Sequence, residues 1–224
     1  MPDPVLFVKD QTRGTEVQSG TDLNYINQLA GETGYVFYLE PGPMPLTSTA
    51  YWGPEVRTGL PQPALSVNMD AAGNVESLNF SLDGLMRRQL LVTIQDENTK
   101  YPIRVPVPDP DVLKPPLAAR KPPALKTEIV EGTAKMAFPE ATRKALGLMG
   151  GAADMVSGSG QLDVMRYGHV LKPRRYVAVR GAGKNYDGLY YVTSVTHNIK
   201  RGEYKQSFSL VRGGIGSTIE RVSA

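Results

Sequence analysis

The chain has 224 residues, long enough for one large domain or two small ones and for a core without metal or disulfide staples. It has no cysteine, which excludes a disulfide framework, a thiolate zinc site and a cysteine nucleophile and fits a reducing compartment. The net charge of +3 hides a gradient: residues 1–99 carry 5 basic and 12 acidic groups, and residues 164–212 carry 10 basic and 2 acidic.

In chain order, "PVLFVKD" (residues 4–10) is a short apolar strand candidate. "SGTDLNYINQLAGETG" (19–34) is the best helix: Thr21 or Ser19 can cap its start, Asp22 suits the dipole, and Gly34 can end it. Leu23, Ile26, Leu29 and Ala30 fall on one face. "YVFYLE" (35–40) reads as a strand and "PGPMP" (41–45) as a loop. In "NVESLNFSLDG" (74–84), Glu76, Leu78, Phe80 and Leu82 alternate with smaller polar residues and predict a strand with one buried face. "QLLVTIQDE" (89–97) is a further strand.

Residues 101–125 hold 8 of the 18 prolines. Proline removes amide donors and fixes φ, so this stretch is neither a central strand nor a helix but an extended connector. Its spaced Ile103, Val105, Val107 and Val112 predict that it lies against protein surface rather than free. "FPEATRKALGLMGGAADMVSGSG" (138–160) begins as a helix that Gly147, Gly150 and Gly151 shorten, and "SGSG" (157–160) reads as a flexible joint. The rest is β: residues 163–170, 175–181, 188–199 and 203–212 are strand-like, at a spacing that suggests an antiparallel sheet or small barrel. Lys200, Arg201 and Gly202 make a tight turn between the last two.

The fold class expected is mainly β with a small α+β unit. Residues 1–99 form a helix-and-strand domain, 100–126 the connector, 127–160 a short helical segment and joint, 161–214 a barrel of strands with its hairpin, and 215–224 a tail. The start has no basic segment leading into an apolar core, so no secretory signal is expected. No apolar run approaches the roughly 20 residues that span a bilayer, so the expectation is a soluble protein without membrane insertion.

No catalytic set emerges. His169 and His197 lack carboxylates at metal-ligand spacing. "GAGKN" (181–185) lacks the first glycine and the Ser or Thr of a phosphate loop and reads as a turn. Ser157 stands where a nucleophile elbow needs glycine. No carboxylate pair has a context that predicts a shifted pKa, and no cofactor or small-molecule substrate is implied. Trp52 suits a carbohydrate platform or, more often, an interface anchor. Arg174, Arg175, Tyr176, Arg180, Lys184 and Tyr186 interleave aromatic and basic groups as in a nucleic-acid surface, and equally as in a sheet edge that docks on other subunits.

An ordered series of stretches then suggests a family. "VQSGTDLNYINQLAGETGYVFYLEPG", "AYWGPEVRTGLPQPALSVNMDAAGNVESLNFSLDG" and "SGSGQLDVMRYGHVLKPRRYVAVRGAGKNYDGLYYVTSVTHNIKRGEYKQSFSLVR" resemble the central baseplate hub proteins of contractile phage tails and phage tail-like injection systems, the late-control protein D group. The resemblance spans nearly the whole chain. It is similar also to the hub part of type VI secretion spike proteins, without the OB-fold and needle repeat. It implies a structural virion component and no enzyme: a trimeric ring, built of tail-tube-like β-barrel domains, that joins the tail tube to the spike. The partners implied are further copies of the chain, tail tube protein, spike protein and baseplate wedge proteins. Such hubs usually carry another barrel before the "SGTDL" unit, where this chain has about 18 residues. The expectation is a split or truncated hub, with that half supplied by a second polypeptide or absent. The protein would be made in the cytoplasm and assembled into a tail particle.

For that ring, the acidic front and basic rear suit subunit complementarity. The interface residues expected are Trp52, Arg174, Arg175, Lys200, Arg201 and Lys205, with Tyr204, Phe208 and Leu210 facing the core. The competing readings are an accessory module that binds peptidoglycan or nucleic acid, through Trp52 and the basic half, and a baseplate-associated hydrolase, for which no acid–base pair stands out.

Overall fold

A computed structural model of the chain describes residues 17–55, 57, 59–95, 99–108, 115, 117–134, 136, 138–149 and 154–218. The strand expected over residues 4–10, and Val112, lie outside them. The elements, in chain order, are α1 (Asp22–Thr33), β1 (Tyr35–Pro41), β2 (Ser48–Pro54), β3 (Gln62–Ser66), β4 (Val75–Leu82), β5 (Arg88–Gln95), β6 (Pro102–Pro106), β7 (Lys126–Val130), α2 (Phe138–Met149), β8 (Val156–Asp163), α3 (Val164–Tyr167), β9 (Tyr176–Arg180), β10 (Gly188–Lys200) and β11 (Glu203–Arg212).

α1 begins and ends where its capping residues dictate. The Thr21 hydroxyl accepts from the Asn24 N–H, and Gly34, at φ 72°, turns its own N–H back to the carbonyls of Ala30 and Gly31. The helix feeds β1, which pairs with β2 as a two-stranded antiparallel ribbon. Only Ala30 of its expected apolar face is buried, while Leu23 is 55% exposed.

The main sheet has the order β3-β9-β10-β11-β8-β4. It is antiparallel except at β3–β9, which is parallel. β8 and β11 separate β4 from β10, which in a flat sheet would hold these strands about 14 Å apart. Yet Phe80 on β4 stacks at 4.9 Å on Tyr186, just before β10, and lies 5.3 Å from Tyr190 on β10. The sheet therefore curls into a half-barrel around a core that includes Val156, Leu162, Tyr190, Val192, Phe208 and Leu210.

Three local expectations are corrected. Residues 157–160 are no joint but the middle of β8, paired with β4 on one side and β11 on the other. Their glycines serve close approach: a Cβ on Gly158 would lie 2.8 Å from the Phe80 ring, and one on Gly160 2.7 Å from the Phe208 ring and 2.4 Å from the Ser77 carbonyl oxygen. Residues 163–170 are no strand. Asp163 caps the single turn α3 by accepting from the Met165 N–H at 2.8 Å, and Gly168 ends it at φ 76°. On β4 the register shifts between Val75 and Ser77, so Val75 joins Leu78 and Phe80 against the core while Glu76 and Leu82 are exposed.

A second core lies between α2 and a three-stranded sheet of order β6-β5-β7, with β5–β7 parallel. β6 comes from the proline-rich stretch and is an edge strand, as its missing amide donors require. Val107 beyond it is buried and Val105 half-buried. Gly147 does not shorten α2, which runs on to Met149. It is instead where α2 meets α1: a Cβ there would lie 2.8 Å from the Gly31 carbonyl oxygen and 2.9 Å from the Gly34 nitrogen. No helix among the described residues is long and apolar enough to cross a membrane.

Candidate assembly surface

Two places gather the residues expected at an interface. The first is the tip of the β10–β11 hairpin. β9 pairs with β10 only over residues 188–191, and β8 with β11 only as far as Lys205. Beyond these the two strands run on as a ribbon to the pair Lys200 and Glu203, closed by Arg201 and by Gly202 at φ 81°. Residues 196–202 are all exposed, so Lys200 and Arg201 stand at the tip beside Ile199, 71% exposed. Along β11 the core takes Gln206, Phe208, Leu210 and Arg212, and Tyr204 packs partly against it.

Lys205 is engaged within the chain. Its ammonium lies 2.9 Å from Glu76 and 3.0 Å from Glu203, and the hydrogen bonds to Glu76 and then Glu203 hold its pKa above the usual lysine value. His197 faces the Tyr204 hydroxyl at 2.7 Å. No group of three or more His, Cys, Asp or Glu among the described residues is placed to hold a metal ion.

Arg212, one of the 10 basic residues of the stretch 164–212, is buried. It donates to the carbonyls of Asn185, Asp187 and Gly214 and sits 4.4 Å above the Tyr190 ring. Burial lowers its pKa, and the neighbouring Tyr190 and Asp187 oppose that.

The second place is a cleft of about 480 Å³ between α1, the β1–β2 ribbon and β10, whose walls include Asn27, Tyr35, Tyr38, Glu55, Arg174 and Tyr191. Arg174 and Arg175 part company here. Arg175 is exposed, whereas Arg174 adopts φ 59° and places its guanidinium carbon 3.7 Å above the Tyr38 ring. Tyr38 in turn stacks at 4.9 Å on Tyr51, its partner across the ribbon. Trp52, 47% exposed, meets the edge of Tyr35 at 4.7 Å.

Behind the cleft Arg57, 4% exposed, makes two 2.7 Å hydrogen bonds to Asp154, lies 3.6 Å from Glu55 and sits 4.5 Å above the Tyr191 ring. Burial pulls its pKa down, but Asp154 and Glu55 outweigh that and hold it up. Burial also raises the phenols of Tyr38 and Tyr191, with Glu40 adding at Tyr38 and Glu55 at Tyr191.

Lys200 and Arg201 thus share the tip, Arg174 and Trp52 flank the ribbon, and Arg175 and Lys205 stand elsewhere. Sequence reasoning missed the cleft. Its one available signal was the density of aromatics in "YVFYLE" and "AYW", and Tyr38 and Tyr51 become cross-strand partners only once the ribbon's register is known.

No protein-family model matches this sequence, and no curated protein matches it. Solved structures do resemble it. A tail protein from Neisseria meningitidis MC58 superposes with a TM-score of 0.58 at 16% identity, over 90% of this chain and 58% of that one. The 43 kDa tail protein of prophage MuSo2 from Shewanella oneidensis gives 0.53 at 13% identity, over 88% and 56%. The chain thus spans less than two thirds of either protein's length. At such low identity the likeness speaks for architecture, and the fold of this chain, a half-barrel sheet with a small helix-and-ribbon unit, is one it shares with two tail proteins, one of them from a prophage.

Proposed function

We propose that this chain is a structural component of a contractile tail or tail-like injection system, part of the central hub that joins the tail tube to the spike and works without catalytic turnover. The observation that carries the reading is the superposition on a tail protein over 90% of the chain. Further support comes from the shape of the main sheet: Asn74 bonds the outer backbone groups of Ala64 and Ser66 on β3, whereas among the described residues no strand pairs outside β4, which leaves that edge to a neighbour. The exposed basic hairpin tip and the acidic first 99 residues add complementary charge between copies or layers. The hub reading includes a trimer and contacts to tube, spike and wedge proteins, with the protein ending in a particle.

Size-exclusion chromatography with light scattering tests the assembly. A trimer, or a chain that is insoluble until a tail partner is co-expressed, is the expected result; a monomer that binds glycan or DNA overturns the hub reading. Reversing the tip with Lys200→Glu and Arg201→Glu tests the hairpin. Particles that image with broken or missing tails are expected, and normal tails overturn the role of the tip.

A further inference from the structure

The cleft between α1, the ribbon and β10 holds polar groups that the fold itself leaves unused. Among the described residues no carboxylate pairs with Arg174. Lying over Tyr38, its guanidinium keeps its in-plane N–H donors free, the geometry that grips a carboxylate in two places. Its φ of 59° is unfavourable for a residue with a Cβ, and it orients the side chain onto the cleft wall.

Tyr191 is the second unused group. The buried tyrosines Tyr167, Tyr176 and Tyr190 each donate to a backbone carbonyl, of Pro63, Arg57 and Tyr186 respectively. Tyr191 lines the cleft, and no hydrogen bond to its hydroxyl is present among the described residues. Arg174 and Tyr191 line the same cleft. Arg57 is held by Asp154 and lies 3.6 Å from Glu55, while Arg174 stands outside ion-pair distance of every described carboxylate.

We propose that the cleft is a docking site for an acidic side chain, Asp or Glu, on an extended segment of a partner polypeptide. The carboxylate takes the Arg174 fork and the Tyr191 hydroxyl, while the segment's backbone lies along the Tyr35 wall of the cleft. A volume of about 480 Å³ holds a few residues. This deepens the assembly reading by giving the partner a chemistry, and it rests on the chain working against other polypeptides.

The test uses the full isotope-labelled chain, titrated with a blocked peptide Gly-Ser-Glu-Ser-Gly and its glutamine twin. The readouts are the Arg174 side-chain Nε–H resonance and the Trp52 indole. Saturable shifts with the glutamate peptide are expected, with about tenfold weaker binding of the twin. Arg174→Gln abolishes the response. Tyr191→Phe weakens binding several-fold and leaves the unfolding midpoint unchanged, because that hydroxyl has no hydrogen bond among the described residues.

Equal response to the two peptides, response to neither, or a response that survives Arg174→Gln overturns the proposal. So does a chito-oligosaccharide that moves these resonances more strongly than the peptide, which would make the cleft a glycan site. The titration reads on the chain whatever its oligomeric state. A failed trimer and a failed cleft are therefore separate results.

Discussion

Arg57 and Arg212 are both buried cations, and the chain holds them in different ways. Arg212 has no carboxylate partner among the described residues; three loop carbonyls take its donors and so tie residues 185–187 and 214 to the end of β11. Arg57 depends on charge, through its bidentate contact with Asp154. Asp154→Asn removes that charge and leaves the guanidinium buried, at a cost of about 3–5 kcal/mol in denaturant unfolding. Lys200→Ala and Arg201→Ala, at exposed positions, change stability by about 0.5 kcal/mol or less. A stability scan of the three variants checks the contrast. In the sequence all four basic residues look alike. Burial separates them, and burial depends on which strands end beside which loops.

At the scale of elements, the caps of α1 were legible because capping is local: Thr21, Asp22 and Gly34 act within a few residues of themselves. The hairpin turn at Gly202 was legible for the same reason. β8 was not. "SGSG" has the composition of a linker, and only the rings of Phe80 and Phe208 on neighbouring strands explain why side chains are excluded there. Gly160→Ala must move backbone, since its Cβ would meet the Ser77 carbonyl oxygen at 2.4 Å. Gly158→Ala meets only the Phe80 ring, at 2.8 Å, which can shift. Thermal and denaturant unfolding are expected to show Gly160→Ala destabilised by about 1–3 kcal/mol and Gly158→Ala by less. Gly147 follows the same logic in a helix, where the approach of α1 rather than helix propensity explains the residue.

Over the whole molecule, buried phenols link stability to high pH. Burial pushes Tyr167 from 10.0 up to about 12, and Tyr190 and Tyr191 are also raised by burial. The unfolded chain gives up these protons first. The stability they contribute is therefore complete below about pH 10 and is lost as pH rises through the folded-state values. From Tyr167 alone the loss is on the order of 2–3 kcal/mol by about pH 12. Tyrosinate absorbance that rises together with loss of sheet signal, rather than ahead of it, is the expected result in an alkaline titration.

Composition, local caps and the period of the apolar residues were enough to determine a mainly β chain, the helix over residues 22–33, the exclusion of the proline-rich stretch from any central strand and the closing hairpin. Each of these depends on residues that are neighbours in sequence. The tertiary structure alone decided that β3 and β4 join β8–β11 in one curled sheet, and that Arg174 turns inward over Tyr38 while Arg175 faces solvent. It alone set Tyr191 in the wall of the cleft. Those outcomes depend on contacts between residues as far apart in the chain as Tyr38 and Arg174, which meet only when strand register and sheet curl have brought their backbones together.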